Sequence, residues 1–383
     1  MDFNKLRDFY KGKKVFVTGN TGFKGTWLTK ILLMCGAEVC GYALKPETEP
    51  ALYDLIFDDH SASSFGDNLR QHYSDIRDYE KLSAAINDFK PELVFHLAAQ
   101  PIVRVSYEKP RYTFETNVMG TVNLLEAVRN CESVKSFLNV TTDKVYKNNE
   151  WVYGYRENDP LDGYDPYSNS KSCSELVTHS YKESFFSDAD GKDGRRYLAI
   201  STARAGNVIG GGDFARDRII PDSVRAMSEA VKKGLATGII EVRNPFSTRP
   251  YQHVLEPLAV YLTIAMKQYE DRKFAGYYNV GPDDCDCVTT GDLVDLFCKK
   301  WNSGDLSGLP KASWESHAEA GAVHEANFLK LDTSLIKATF DWKPRWHIDE
   351  CMDMTVRFSK ILLRGGEIGA EMEKEIGEFL VSE

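Results

Sequence analysis

Tyr167 and Lys171 are the two residues whose types and spacing point most directly to chemistry. They lie four residues apart in DPYSNSKSCSELV, where Asp165 and Pro166 predict the start of a helix, so both side chains fall on one helical face. A nearby ammonium lowers the pKa of a phenol because it favours the phenolate. We therefore predict that Tyr167 acts as a base toward a substrate hydroxyl, although such pairs also occur on ordinary surface helices.

Three polar residues follow the apolar run SFLNV in the order Thr142, Asp143, Lys144. With Tyr167 and Lys171, the Thr142 hydroxyl suits reversible oxidation of a secondary alcohol. Adjacent strand residues point to opposite faces, so Asp143 and Lys144 converge only if they lie in the turn beyond the strand. Pairing would also favour their charged forms, which is the wrong protonation for an acid and a base unless burial outweighs it.

A glycine-rich turn, VTGNTGFKGTW, follows the first predicted strand and opens a helix. Its G-x-x-G-x-x-G spacing departs by one residue from the usual dinucleotide pattern, but the physics is the same: a tight turn and a helix N-terminus that meets a pyrophosphate. We predict that this loop binds a dinucleotide rather than being only a structural turn, through Gly19, Asn20, Thr21, Gly22, Phe23, Lys24 and Gly25.

The choice between NAD and NADP is left open by the residues themselves. An acidic residue about 20 positions after the last glycine usually binds the adenosine ribose. Here that region reads GYALK, residues 41–45, without a carboxylate. Lys24 and Lys45 are the basic residues available to meet a 2′-phosphate.

Apolar runs alternate with helical segments from Lys14 onward: KVFVTG, a helix over about 22–35, EVCGYAL, LVFHLAA, SFLNVTT and YLAISTARAGNVIG. This alternation predicts a parallel sheet covered on both faces. After Asn207 come GIIEVRN, GYYNVGP and FLKLD, with helices beginning near Pro221, Glu256 and Thr290. We predict an α/β fold: a doubly wound sheet in residues 1–205, to which later strands return, and a smaller mixed α/β substrate lobe in residues 206–383.

Composition excludes several classes of function. The 383 residues include 47 Lys+Arg and 57 Asp+Glu, which gives a net charge of −10. This charge argues against non-specific electrostatic binding of nucleic acid or anionic lipid. No apolar run approaches the ~18 residues of a membrane span, so we expect a cytoplasmic protein. Cys285 and Cys287 are the only closely spaced pair among eight cysteines, and without a second pair or a nearby His cluster we expect no metal site.

Several motifs together resemble the extended short-chain dehydrogenase/reductase family: TGxxGxxG, HLAAQ at 96–100, TNVMGT at 116–121, the strand-end Thr and YxxxK. The resemblance runs from about Lys13 to Trp346. It implies a Rossmann-type domain that binds NAD and a C-terminal lobe that binds a nucleotide sugar. The implied cofactor contacts are Asp75 and Ile76 near the adenine, then Ala98, Ala99, Gln100, Asn117, Tyr167 and Lys171; the implied sugar-diphosphate contacts are Asn207, Arg218 and Arg249.

The residues after the strand-end Thr narrow the implied chemistry. An Asp there resembles the 4,6-dehydratases rather than the epimerases, and Lys144 stands where the dehydratases usually have Glu. The segments NTGFKG, EWVYGYREND, YDPYSNSK, RAGNVIGGGDFA, RPYQHVLEPL and HEANFLKLD are similar to those of dehydratases that act on CDP-glucose, with Asn20 where His is expected.

The implied reaction is that of an NAD-dependent hydro-lyase of deoxysugar biosynthesis, such as that of lipopolysaccharide O-antigen. It comprises oxidation at C4, loss of water across C5 and C6, and return of the hydride to C6. Asp143 is the implied acid, and Lys144 the implied base or charge stabiliser. The alternatives are another nucleotide-sugar dehydratase or epimerase of the family, or an NAD-sensing protein without turnover. The resemblance also implies a homodimer or homotetramer paired through helices near 111–130 and 167–186.

Overall fold

The structure, a computed structural model, describes residues 3–57, 68–187, 195–317 and 328–381; residues 324–327 of the HEANFLKLD segment lie outside the described residues. Its strands are β1 (Lys14–Thr18), β2 (Glu38–Ala43), β3 (Leu69–Tyr73), β4 (Leu93–His96), β5 (Ser136–Thr142), β6 (Phe186–Ser187), β7 (Arg196–Tyr197), β8 (Ala199–Ala205), β9 (Asn207–Ile209), β10 (Thr237–Val242), β11 (Thr248–His253), β12 (Tyr277–Val280), β13 (Cys287–Thr289) and β14 (Lys311–Ser316).

The α-helices are α1 (Phe3–Tyr10), α2 (Phe23–Met34), α3 (Leu52–Phe57), α4 (Tyr79–Phe89), α5 (Val103–Glu108), α6 (Pro110–Phe114), α7 (Gly120–Arg129), α8 (Pro166–Phe185), α9 (Ile219–Lys233), α10 (Leu255–Glu270), α11 (Thr290–Asn302), α12 (Ser334–Phe340), α13 (Ile348–Leu363) and α14 (Ile368–Val381). A π-helical turn, Glu115–Met119, joins α6 to α7. Short 3₁₀ turns occupy Asp143–Val145, Arg272–Phe274 and Asp284–Asp286.

A seven-stranded sheet in the order β12-β8-β5-β4-β1-β2-β3 positions the site. Every neighbouring pair in it is parallel. The strand order reverses between β1 and β4, and in open α/β sheets ligands bind beyond the carboxyl ends of the strands at such a point. Both the glycine-rich turn after β1 and the HLAAQ segment after β4 therefore lie where a ligand is expected.

Both faces of the sheet are covered by apolar helices. Trp27 and Leu28 of α2 lie in one buried cluster together with much of α10, whereas Leu124 of α7 and Leu82 of α4 lie in a second cluster on Phe16 and Phe137. This arrangement explains the near-continuous apolar runs of the central strands, because each strand is buried on both faces. The predicted doubly wound α/β fold is confirmed.

The predicted strands are observed with two changes, and six strands of the described residues were not predicted: β3, β6, β7, β11, β13 and β14. YLAISTARAGNVIG divides at Gly206 into β8 and β9. LRQHY forms the edge strand β3, which the sequence analysis missed because it has no apolar run. FLKLD contributes only isolated bridges, from Phe328 to Thr248 and from Leu331 to Tyr155. Strand β12 lies at the edge of the sheet beside β8; the division of the chain at residue 205 stays a prediction.

Residues beyond β8 build two smaller sheets around the end of β5. Strand β11 pairs in parallel with β9 and antiparallel with β13, and β10 pairs in parallel with β14. Helices α9, α10 and α11 begin within two residues of the predicted starts. Across the described ranges, none of the helices is long and apolar enough to cross a membrane.

Candidate active site

The glycine-rich turn leaves no room for side chains at two of its positions. Gly19 has a φ of 72°, and a Cβ there would lie 2.7 Å from the backbone nitrogen of Ala98. A Cβ at Gly25 would lie 2.1 Å from the carbonyl oxygen of Gly19. Helix α2 begins after Gly22 without a side-chain cap. Its first backbone N–H groups are therefore available to an anion, which fits a dinucleotide pyrophosphate.

Asn20 is directed toward the edge strands β2 and β3. It is buried; its Nδ2 donates to Gln71 Oε1 at 2.6 Å, and its Oδ1 has no hydrogen-bond partner within the described ranges. Beyond β3, the Asp75 carboxylate accepts two hydrogen bonds from the Arg77 guanidinium, which holds the pKa of Asp75 below its usual range. Gln71 and Arg77 were missed by the sequence analysis because neither belongs to a recognisable motif.

The segment after β4 is fixed by Thr18, which the sequence analysis missed, and by Asn117, which it predicted to contact the cofactor. The Thr18 hydroxyl accepts hydrogen bonds from the backbone of Leu97 and Ala98. Asn117 Oδ1 accepts from the backbone nitrogen of Gln100 at 2.8 Å, and its Nδ2 donates to Ser170 on α8 at 2.9 Å. Asn117 therefore ties this segment to α8, while Ala98 and Ala99 stay half-buried beside the glycine turn.

Helix α8 carries the predicted Tyr and Lys pair. Asp165 caps it by accepting from the backbone nitrogen of Ser168 at 3.0 Å, as expected. Tyr167 lines the main cavity, and Lys171 is buried beneath it, donating from Nζ to the carbonyl oxygen of Val140 at 2.9 Å. Burial lowers the pKa of Lys171 to about 8 against the opposing charge of Glu175.

The pKa of Tyr167 does not follow the expectation of a lowered value. Burial raises it to about 12, while hydrogen bonding to Thr142 and the charge of Arg218 act in the opposite direction. The Lys171 ammonium is hydrogen-bonded to the Val140 carbonyl and does not reverse the effect of burial on Tyr167. A phenolate at this position therefore requires a further positive charge, such as a bound nicotinamide.

The turn after β5 contains Asp143 and Lys144, as their convergence with Thr142 requires. Strand β5 ends at Thr142 and a 3₁₀ turn begins at Asp143, so the strict alternation of the strand is broken there. Thr142 Oγ1 donates to Asp143 Oδ1 at 2.9 Å, and the buried Asp143 Oδ2 has no partner among the described residues. Burial raises the pKa of Asp143, against the opposing effect of the Lys144 ammonium. Burial thus acts against the charged form of the carboxyl.

A buried ion pair between Glu175 and Arg204 lies next to the residues at the end of β5. Glu175 accepts from Thr141 Oγ1 at 2.5 Å and from Arg204 Nε at 3.1 Å, so it joins α8 to both β5 and β8. The Arg204 guanidinium also donates to the Tyr146 hydroxyl beyond the 3₁₀ turn. The sequence analysis missed this pair, although Glu175 lies one helical turn beyond Lys171 on the same face.

The main cavity, of about 590 Å³, contains all three predicted sugar-diphosphate residues, Asn207, Arg218 and Arg249. Arg218 also forms an ion pair with Asp213 at 3.1 Å. Such an ion pair is the ordinary structural role of an arginine, as opposed to contact with a sugar diphosphate. A second cavity of about 300 Å³ shares Val103, Lys144 and Arg249 with the first. Lining residues of the main cavity that the sequence analysis missed include Arg104, Asp213, Glu241, Arg243, Asn244 and Tyr251.

The Lys24 side chain is directed away from the place where a 2′-phosphate of NADP would lie. Its side chain lines the main cavity with Thr142 and Tyr167, on the substrate side of the glycine turn, and not the region beyond β2 where a 2′-phosphate would lie. The cause is its place in the first turn of α2, which faces the end of β5. Lys45 is exposed beyond β2.

The expectation of no metal site rested partly on the absence of a His near Cys285. The fold brings His347 beside it: Sγ of Cys285, a carboxylate oxygen of Asp286 and Nδ1 of His347 lie within 4.8 Å of one another. Asp286 is already occupied, because it accepts from His347 Nδ1 at 2.9 Å and from the backbone nitrogen of Ile348 at 2.9 Å. These bonds fix the start of α13, and the absence of a metal stays a prediction.

Comparison with known proteins identifies the family. The family model described as GDP-mannose 4,6 dehydratase matches residues 16–355. The chain belongs to this family. It is 45% identical to a CDP-glucose 4,6-dehydratase of Salmonella typhimurium over 98% of both chains, and 24% identical to human GDP-mannose 4,6 dehydratase over 91% of both. The resemblance inferred from the motifs is confirmed.

Solved structures of dehydratases share the fold of this family member. One is a dTDP-glucose 4,6-dehydratase from Streptomyces venezuelae with NAD bound, with a TM-score of 0.71 and 21% identity over 92% of this chain and 99% of that one. Another is a dTDP-glucose 4,6-dehydratase from Bacillus anthracis in complex with NAD, with a TM-score of 0.69 and 18% identity over 94% and 100%.

Proposed function

We propose that the protein converts CDP-D-glucose to CDP-4-keto-6-deoxy-D-glucose and water. The observation that carries this proposal is the main cavity, where Tyr167 and Thr142 lie beside a buried Asp143 oxygen without a hydrogen-bond partner. The set supplies an alcohol-oxidising base and a proton donor in one place, which is what oxidation followed by elimination requires. The similarity to the Salmonella CDP-glucose 4,6-dehydratase supports cytosine as the base.

NAD is the cofactor we assign to the glycine turn. The close approach at Gly19 and Gly25, together with the uncapped start of α2, fits its pyrophosphate. The two dehydratase structures with NAD bound support the same choice. When bound, NAD accepts the C4 hydride and later returns it to C6, so the reaction has no net redox change.

Tyr167 takes the proton of the O4 hydroxyl in the first step. Thr142 lies within hydrogen-bonding reach of both the phenol and Asp143, and its hydroxyl donates to Asp143 Oδ1. The proton that Tyr167 gains can therefore pass through the Thr142 hydroxyl to Asp143. This relay balances the reaction, because Asp143 must give a proton to the departing O6.

The C4 ketone acidifies the neighbouring C5 proton, so that elimination across C5 and C6 becomes possible. Asp143 is suited to the acid role because burial raises its pKa. This effect is larger than the opposing effect of pairing with Lys144, which was the objection stated in the sequence analysis. Lys144 lines the cavity beside it, as base or as charge stabiliser. Arg218 and Arg249 present guanidinium groups suited to bidentate contact with a diphosphate.

The test is incubation of the purified protein and NAD with CDP-, UDP-, dTDP- and GDP-glucose in parallel, followed by mass spectrometry. We expect loss of one water from CDP-glucose and little reaction of the other three. Isomers of unchanged mass would indicate an epimerase, and preferential dehydration of another sugar would reassign the nucleobase. No change in any hexose would favour a sensing protein.

Pairing of protomers through α7 and α8 is part of the proposal. Helices α6 and α7 pack beside α8 and leave Met119 and Leu176 about half exposed on the same side of the sheet. Burial of these side chains against a second copy would remove apolar surface from water. A homodimer is therefore expected in sedimentation analysis, and we place the protein in the cytoplasm.

A further inference from the structure

Lys24 stands out because it adds an ionisable side chain to a turn whose backbone serves the cofactor. It is the second residue of α2, half-buried, and it lines the main cavity together with Thr142, Lys144 and Tyr167. Within the described ranges, its ammonium has no hydrogen-bond or ion-pair partner of its own. An amine held in a reaction cavity without a structural partner is available to a substrate.

The charges around Lys24 are balanced and come from four other parts of the chain. Asp143 follows β5 and Asp213 follows β9, whereas Lys171 belongs to α8 and Arg218 precedes α9. Burial lowers the pKa of Lys24 to about 8, with Arg218 acting in the same direction and Asp143 opposing it. About a tenth of the amine is then neutral at pH 7, a range in which general bases are effective.

Lys144, the other candidate, has a different environment. It is adjacent to Asp143 in the 3₁₀ turn, and its charge is the largest of the side-chain effects that oppose the raised pKa of that carboxyl. Its place in the turn beside Asp143 suits Lys144 to stabilise negative charge that develops on the substrate.

We propose that Lys24 is the base that removes the C5 proton of the 4-keto intermediate, an assignment that rests on the dehydratase function proposed above. The neutral Nζ takes the C5 proton, and the C–H electron pair forms the C5=C6 bond through the enolate. The C6–O6 bond breaks as Asp143 gives its proton to O6, and water leaves. When C6 is reduced, the Lys24 ammonium returns a proton to C5, so that both residues end the cycle as they began it.

The test compares Lys24→Met, which keeps the length of the side chain without the amine, with Lys24→Arg, which keeps the charge but cannot act as a base at this pH. Lys232→Met, at an exposed lysine in the last turn of α9, serves as the matched control. Four quantities are measured for each variant: calorimetric affinity for NAD, calorimetric affinity for CDP-glucose, the transient absorbance of reduced nicotinamide, and deuterium at C5 of the recovered sugar after reaction in D₂O.

We expect both Lys24 variants to bind the two ligands within about threefold of the unmodified protein. They should oxidise C4 but incorporate no deuterium at C5, and kcat should fall by about 10²–10⁴-fold, the usual contribution of a general base. Partial restoration of C5 exchange by added methylamine in Lys24→Met would support the assignment further. Lys232→Met should match the unmodified protein throughout.

Undiminished C5 exchange in Lys24→Met would overturn the assignment, as would a loss of NAD or CDP-glucose affinity that Lys24→Arg restores, since Lys24 would then be a phosphate contact. The activity of the unmodified protein distinguishes failure of the proposed dehydratase function from failure of the role assigned to Lys24. If the unmodified protein neither oxidises nor dehydrates CDP-glucose, the proposed function fails, and the role of Lys24 fails with it.

Discussion

Replacement of Arg204 by Met should be among the most damaging single changes to stability. Arg204 and Glu175 have side-chain exposures of 3% and 1%, and Glu175 accepts hydrogen bonds from Arg204, Thr141 and Thr202. Removal of the guanidinium leaves a buried carboxylate without its hydrogen-bonded ion-pair partner, which costs about 3–5 kcal/mol of unfolding free energy. The two threonine hydroxyls remain but carry no formal charge, so they compensate only in part.

Urea unfolding followed by far-UV circular dichroism at neutral pH provides the measurement. The double variant Arg204→Met with Glu175→Gln removes both charges and should recover at least half of the loss, because no uncompensated charge remains. The control is Arg156→Met, whose ion pair with Asp332 is mostly exposed on the arginine side, at 72%, and should contribute no more than about 1 kcal/mol. A loss below about 1 kcal/mol for Arg204→Met, or a double variant as unstable as the sum of the two single variants, would refute the reasoning.

Three further predictions concern the cofactor turn, the acid and a buried glutamate. Gly25→Ala should abolish NAD binding in calorimetry, because its Cβ would lie 2.1 Å from the Gly19 carbonyl oxygen; retained affinity would mean that the turn can shift. Asp143→Asn should still form reduced nicotinamide with CDP-glucose but lose water about 10²–10⁴-fold more slowly, and unimpaired dehydration would remove Asp143 from the acid role. Burial raises the pKa of Glu256 from 4.5 to about 7, so its contribution to stability is fully present below about pH 4.5 and is lost as the pH rises through about 7. Glu256→Gln should therefore flatten the fall in unfolding free energy between about pH 4.5 and pH 7 by about 3 kcal/mol, and an unchanged slope in urea midpoints would contradict this.

The sequence was sufficient for those features that depend on local chain geometry. The turn after β1 needs glycine at positions 19 and 25 because of contacts with neighbouring backbone, and Asp165 with Pro166 marks the start of α8 through its local capping geometry. Tyr167 and Lys171 lie one turn apart on any helix. These are short-range constraints, so a motif of a few residues is enough to predict them.

The sequence was insufficient where distant segments meet. Glu175 and Arg204 are 29 residues apart and their contact depends on the pairing of β5 with β8. The direction of Lys24 depends on where α2 lies relative to β5. The pKa of Tyr167 depends on burial, which no pattern in DPYSNSK encodes, and strand β3 lacked an apolar run because it lies at the sheet edge.

The position of β12 has a consequence for synthesis on the ribosome. Strand β8 is complete at residue 205, but its outer neighbour is not made until residues 277–280 have been translated. During that interval the backbone N–H and C=O groups of β8 are open on one side, which is a known route to aggregation. Nascent chains halted before residue 277 should therefore depend on chaperones more than chains halted after residue 280.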